Sequence, residues 1–128
     1  MMIDISEFEY SGSRLKDLYK YLKAEGYDVY FPEQHVGECL KPYLVIKYSG
    51  SVPIQGISTR ADLYDIFVYV PRDKYSLLDE MVQSVIKAMS AMKPLFYKYS
   101  DQQTASVYDD DTKSHCVSVE YANYKKNY

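Results

Sequence analysis

The chain has 128 residues, 47% of them hydrophobic and 26% charged, with 15 basic against 18 acidic side chains for a formal net charge of −3. This is the composition of one globular domain with a core of its own, and it excludes a disordered or fibrous chain. The mild acidic balance argues against a nucleic-acid or anionic-lipid surface, so neither a membrane nor a specific nucleic-acid sequence is expected as a partner.

Tyrosine is the unusual residue: 16, against 4 Phe and no Trp. A large apolar ring with a polar tip suits half-buried sheet faces and interfaces that are wet in one state and covered in another. Cys39 and Cys116 are far apart and in no CxxC spacing, which reads as two reduced thiols and not as a metal framework or a disulfide staple. The opening MMIDISEFEY has neither a basic nor an apolar signal region, and no run is long enough to cross a bilayer, so a protein made in the cytoplasm is expected.

In chain order, Ser13 caps a helix over 14–24 with Leu15, Leu18, Tyr19 and Leu22 on one face and Lys16, Lys20 and Lys23 toward water. Gly26 supplies the left-handed residue that closes it, and 27–31 is a short strand stopped by Pro32. The polar connection 33–42 holds His35, Glu38 and Cys39, an incomplete ligand set at no zinc spacing; it reads as a loop with a solvated His and a tucked Cys. Residues 43–48 form a strand with Leu44, Ile46 and Tyr48 on one face and Tyr43, Val45 and Lys47 on the other. The Gly/Ser-rich 49–60 stretch reads as the extended tip of a long hairpin, whose Ile54, Gln55, Ile57, Thr59 and Arg60 are candidate protein contacts.

The best-defined part of the chain is 61–92. Leu63 to Val70 is a β-branched and aromatic strand, Pro71 ends it, and Asp73 or Ser76 is expected to cap a helix over 74–92. Leu78, Met81, Val82, Val85, Ile86, Met89 and Met92 form its apolar stripe, with Met as gap-filling core. Arg72 and Lys74 at the strand-to-helix turn are further contact candidates. After Pro94, residues 95–99 and 104–108 are short strands, Asp109, Asp110 and Asp111 form a solvated turn without calcium-loop spacing, and 115–124 is the last strand, with Val117, Val119 and Tyr121 on one face. Residues 125–128 are expected to fray.

The pattern gives one α+β domain over 1–128: a mainly antiparallel sheet with a long β-hairpin and two helices packed mainly on one face. No GxGxxG, Walker loop, GxSxG, HExxH or CxxC occurs. His115 and Cys116, as strand neighbours, point to opposite sides. A non-enzyme is expected, with no catalytic, cofactor-binding or metal-binding residues and no cofactor.

A strand ending FVYVP, a helix of the form LLDEMVQSVIKAM and a last strand SHCVSVEYANYKK together resemble the small tail-completion or tail-terminator proteins of tailed bacteriophages and related contractile particles, over 43–126. The resemblance implies a structural protein of the virion tail or neck that forms a ring, usually six-fold, on the end of the tail tube. Such a ring stops tube growth and docks to the head. Its partners would be further copies of the chain, the tail tube or sheath protein, and the head or neck connector. A head-completion or neck role, and a small non-enzymatic ligand- or protein-binding domain, are the alternatives.

Overall fold

A computed structural model describes residues 13–53, 59–92, 95–99 and 104–126. Its elements run α1 (Arg14–Ala24), β1 (Val29–Tyr30), β2 (Tyr43–Pro53), β3 (Thr59–Pro71), α2 (Leu77–Met89), β4 (Tyr97–Lys98), β5 (Val107–Asp109) and β6 (Ser114–Lys126). The six strands form one sheet in the order β1-β2-β3-β6-β4, and β5 shares the outer edge of β6 with β4. β1 runs parallel to β2, and all other pairs are antiparallel. The α+β class with a mainly antiparallel sheet is as the residue pattern predicts.

The centre is β3, paired along its whole length with β6 from Thr59 opposite Lys126 to Pro71 opposite Ser114. The alternation of β3 divides the molecule. Tyr64, Ile66, Val68 and Val70 point into the core with Leu44 and Ile46 of β2 and Val117, Val119 and Tyr121 of β6. Both helices cover this side. α2 presents Leu78, Val82, Val85 and Met89, buried as their spacing predicts, and α1 presents Leu18, Tyr21 and Leu22. Each such side chain contributes about 1.5–3 kcal/mol when buried.

Local chemistry sets the ends of the elements. The Ser13 side chain accepts from the Lys16 backbone N–H, and Gly26 takes a φ of 99°, where a side chain would be strained. Asp17 is fully buried and ion-paired to Arg14 at 2.8 Å. The Tyr21 hydroxyl donates to the Ala88 carbonyl at 2.7 Å, which ties α1 to α2 across 67 residues of sequence. Among the described residues, no helix is long and apolar enough to cross a membrane.

Several boundaries differ from expectation. β1 is two residues long, not five, because it pairs only with Leu44 and Val45. β2 continues to Pro53 through a bulge between Tyr48 and Gly50, whose φ of 110° lets the ladder resume one residue out of step. Residues 49–53 and 59–60 of the expected 49–60 tip therefore belong to the paired strands, and 54–58 lie outside the described residues. α2 begins at Leu77, after a 3-10 turn at Arg72–Lys74, and neither expected cap operates: Ser76 makes no side-chain cap bond, and Asp73 sits in the 3-10 turn. α2 ends at Met89 and passes into a second 3-10 turn at Ser90–Met92. β4 and β5 are shorter than their candidate stretches, and β6 is longer, so Lys125 and Lys126, expected to fray, pair with Arg60 and Thr59. The expected helix stop at Pro94 lies outside the described residues.

Candidate functional site

The side chains of opposite parity face away from the helices. Strand pairing sets them in rows across the sheet: Tyr43, Tyr69, Cys116 and Val107, then Val45, Phe67 and Ser118, then Lys47, Asp65 and Glu120. Toward the Tyr43 end, no described helix covers this face. Val107 is 62% exposed, and Val45, Phe67 and Tyr69 are half-buried. A row of large apolar groups left partly in water is the informative surface feature here.

The first row is an aromatic stack. Tyr43 lies against Tyr69 with ring centroids 4.9 Å apart and planes 14° apart, and His35 stacks on the other face of Tyr43 at 4.1 Å. Tyr30 packs its edge against both His35 and Tyr43, at 5.0 and 5.5 Å. His35 is thus part of this wall, not the solvated loop residue its polar surroundings suggest. Its Nδ1 is buried without a hydrogen-bond partner.

Two hollows flank the stack. A groove of about 620 Å³ is lined by Phe67, Tyr69, Val107, Tyr108, Cys116 and Ser118, with Asp109 and Asp110 at its rim. Beyond Tyr69, a hollow of about 230 Å³ runs past Tyr43, Val45 and Phe67 to His35 and Lys47. Asp109 is fixed by its turn, where Oδ1 accepts from the backbone N–H of Asp111 at 2.9 Å.

Burial decides the protonation of this surface. It pushes the Tyr43 phenol up to about 12 and raises that of Tyr69, while the Cys116 thiol goes up to about 11 despite a Tyr69 bond that favours the thiolate. Cys116 is therefore a neutral thiol at physiological pH and lacks the thiolate character of a nucleophile. Burial, and then the facing Asp65 carboxylate, raise Glu120. Asp65 is itself held as an acceptor by the Ser49 hydroxyl at 2.5 Å. Like charges directly opposite each other across a pair of strands are destabilising, so the Asp65–Glu120 pair carries a cost, offset in part by Lys47 on the other side of Asp65.

Of the residues expected to make contacts, the described ones lie toward opposite ends of β3. Ile54, Gln55 and Ile57 lie outside the described residues. Thr59 begins β3, and Arg60 is turned back on its own hairpin, donating to the Ser51 hydroxyl at 3.0 Å and the Ser51 carbonyl at 3.3 Å. Arg72 and Lys74 are exposed at the other end of β3, around a pocket of about 290 Å³ that also includes Glu38, Asp73 and Lys113. Eleven residues of β3 lie between Arg60 and Arg72, roughly 36–40 Å at about 3.3 Å per residue, so the two groups cannot share one small site.

His35, Glu38 and Cys39 do not converge either. Cys39 is buried, with its thiol donating to the Lys41 carbonyl at 3.3 Å, and Glu38 is exposed. Among the described residues, no three His, Cys, Asp or Glu side chains are placed to hold a metal ion. His115 turns to the Arg72 carbonyl, 3.2 Å away, on the other side of the strand from Cys116.

Sequence reasoning missed Phe67, Tyr69, Cys116, Asp65 and Glu120 as members of one surface. Their signal was present in the alternation: every second residue of β2, β3 and β6, out of phase with the core positions. Compared with family models, curated proteins and solved structures, the chain matches none.

Proposed function

We propose that this chain is a structural subunit of a tailed bacteriophage or phage-like contractile particle. In this reading it assembles into a ring, six-fold by the resemblance, at the end of the tail tube, where it terminates the tail and docks to the head or neck. The observation that supports an assembly role is the half-covered sheet: helices bury one face, while toward the Tyr43 end of the other the described residues leave Val45, Phe67, Tyr69 and Val107 partly in water beside a groove of about 620 Å³. Such a surface is stable wet in the monomer and gains by being covered in an assembly.

The test is to add the purified chain to tail tubes and examine them by negative-stain electron microscopy. Ring-shaped caps that halt tube growth are expected; a chain that neither forms rings nor binds tube ends overturns the proposal. The groove supports a second reading, since about 620 Å³ is the size of a small-ligand pocket. A chain that remains monomeric but gains thermal stability with one compound of a small-molecule panel, and loses that gain on Tyr69→Ala, would favour a ligand-binding domain instead.

A further inference from the structure

A further pocket lies on the helix-covered side of the sheet, at the outer edge of β6, where residues 104–106 run past the first turn of α2. Its strand side is held by Thr104, whose N–H donates to the Ser118 carbonyl at 3.3 Å and whose hydroxyl accepts from the Ser118 N–H at 2.9 Å. Its helix side is held by Tyr75. That ring packs edge-on against His115, with centroids 4.6 Å apart, and its hydroxyl lies 3.3 Å from the hydroxyl of Ser106. Between these walls is a volume of about 360 Å³.

The lining is of two kinds. Leu78, Val82 and Val117, all buried, form an apolar floor at the margin of the core. Around it stand Tyr75, Ser76, Asp79, Thr104 and Ser106, all exposed and each carrying a hydroxyl or a carboxylate. Ser76 makes no side-chain cap bond, so its hydroxyl is not committed to the helix.

Charge and polarity narrow the ligand. Asp79 is the one charged side chain among these lining residues, so phosphates and carboxylates are repelled. A lone carboxylate in water, beside the positive N-terminal end of a helix, is a poor seat for a cation. A wholly apolar ligand would strip water from the polar rim and return no hydrogen bonds. What remains is a neutral molecule with C–H groups for the floor and the Tyr75 ring, and with hydroxyls around its edge. The Asp79 carboxylate accepts from such hydroxyls, and the Ser, Thr and Tyr hydroxyls donate or accept. The volume is toward the small end of ligand sites, which suits one ring and not a chain of them.

We propose that the pocket between Tyr75 and residues 104–106 is a binding site for a neutral cyclic polyol, a single sugar ring. The site requires only the monomer and is independent of the ring reading. It is also distinct from the groove beside Tyr69, which opens on the other face of the sheet, although Thr104 borders both.

The test follows backbone amide shifts of the isotope-labelled full chain during titration with glucose, galactose, mannose and N-acetylglucosamine, with inorganic phosphate and choline as charged controls. At least one sugar is expected to shift Ser76, Asp79 and Ser106 together and saturably, with a dissociation constant of about 1 mM or tighter. Tyr75→Ala, which removes the ring, is expected to weaken that binding about tenfold or more, and Asp79→Ala about threefold or more. Asp110→Ala, at the rim of the groove, should leave it within about twofold.

The absence of a saturable shift with any of the four sugars overturns the site. So does a sugar that shifts Tyr69 and Val107 in the groove instead, or one that binds Tyr75→Ala and Asp79→Ala, both folded by circular dichroism, as tightly as the wild type. Saturation of Ser76 and Asp79 by phosphate or choline overturns the assignment to a neutral ligand. Each of these results leaves the ring reading where it was, since sugar binding and ring formation are read from different measurements.

Discussion

Glu120→Gln should make the isolated chain more stable at neutral pH. Glu120 faces Asp65 directly across β3 and β6, and burial together with that neighbour raises its carboxyl from the usual range near 4.5. Opposed like charges on a sheet cost roughly 0.2–1 kcal/mol, and this pair is partly exposed to screening water, so relief of about 0.5 kcal/mol is expected. In a domain of this size that is about 2 °C in Tm. The sign with pH follows from linkage. A raised carboxyl means that the folded chain binds more protons than the unfolded chain just above pH 4.5, so wild-type stability falls as pH rises through that window. Gln has no proton to lose and does not share the fall. Urea midpoints should therefore coincide near pH 4 and separate above about pH 6, with the variant the more stable. A variant less stable at pH 7, or a gap of the same size at pH 4, would show that a favourable partner holds Glu120 and that the row carries no strain.

Three further outcomes follow from the packing. Tyr21→Phe keeps the ring but removes the hydroxyl that donates to the Ala88 carbonyl; it should cost about 1 kcal/mol in urea unfolding at unchanged m-value, since that carbonyl also accepts from the Ser90 backbone N–H. Ile66→Ala empties a fully buried position between the sheet and the helices and should cost about 2–5 kcal/mol, whereas Val45→Ala, on the uncovered face, should cost less than half as much. Burial pushes Tyr43, Tyr64 and Tyr121 up to about 12, above their ordinary value of 10.0. Stability from these phenols is complete below pH 10 and is lost as pH rises from there toward 12, so absorbance at 295 nm should show these phenolates appearing together with unfolding and not before it.

Much of the fold could be read from residue pattern because its signals are local. The Leu63–Val70 alternation, the stop at Pro71, the α2 stripe, the Ser13 cap and Gly26 each depend on residues within a turn or two of one another. The misplaced boundaries have a different origin. Ser49, Gly50 and Ser51 look like a loop by composition, yet a Gly with positive φ absorbs a bulge and the ladder runs on to Pro53. Ser76 has the chemistry of a cap, but the 3-10 turn before it leaves its side chain without that bond. The uncovered face was half legible. Tyr43, Val45 and Lys47 were assigned to one side of their strand, but nothing local says that His35 will fold back onto Tyr43. Nor does it say that Asp65 will face Glu120, 55 positions later. Those are facts of register between distant segments.

The most direct measurement of the central claim is native mass spectrometry of the chain over a concentration series at low salt. A chain of 14.9 kDa that assembles into rings should give one closed species at an integer multiple of that mass, six-fold by the resemblance. A single 14.9 kDa species at every concentration would contradict it.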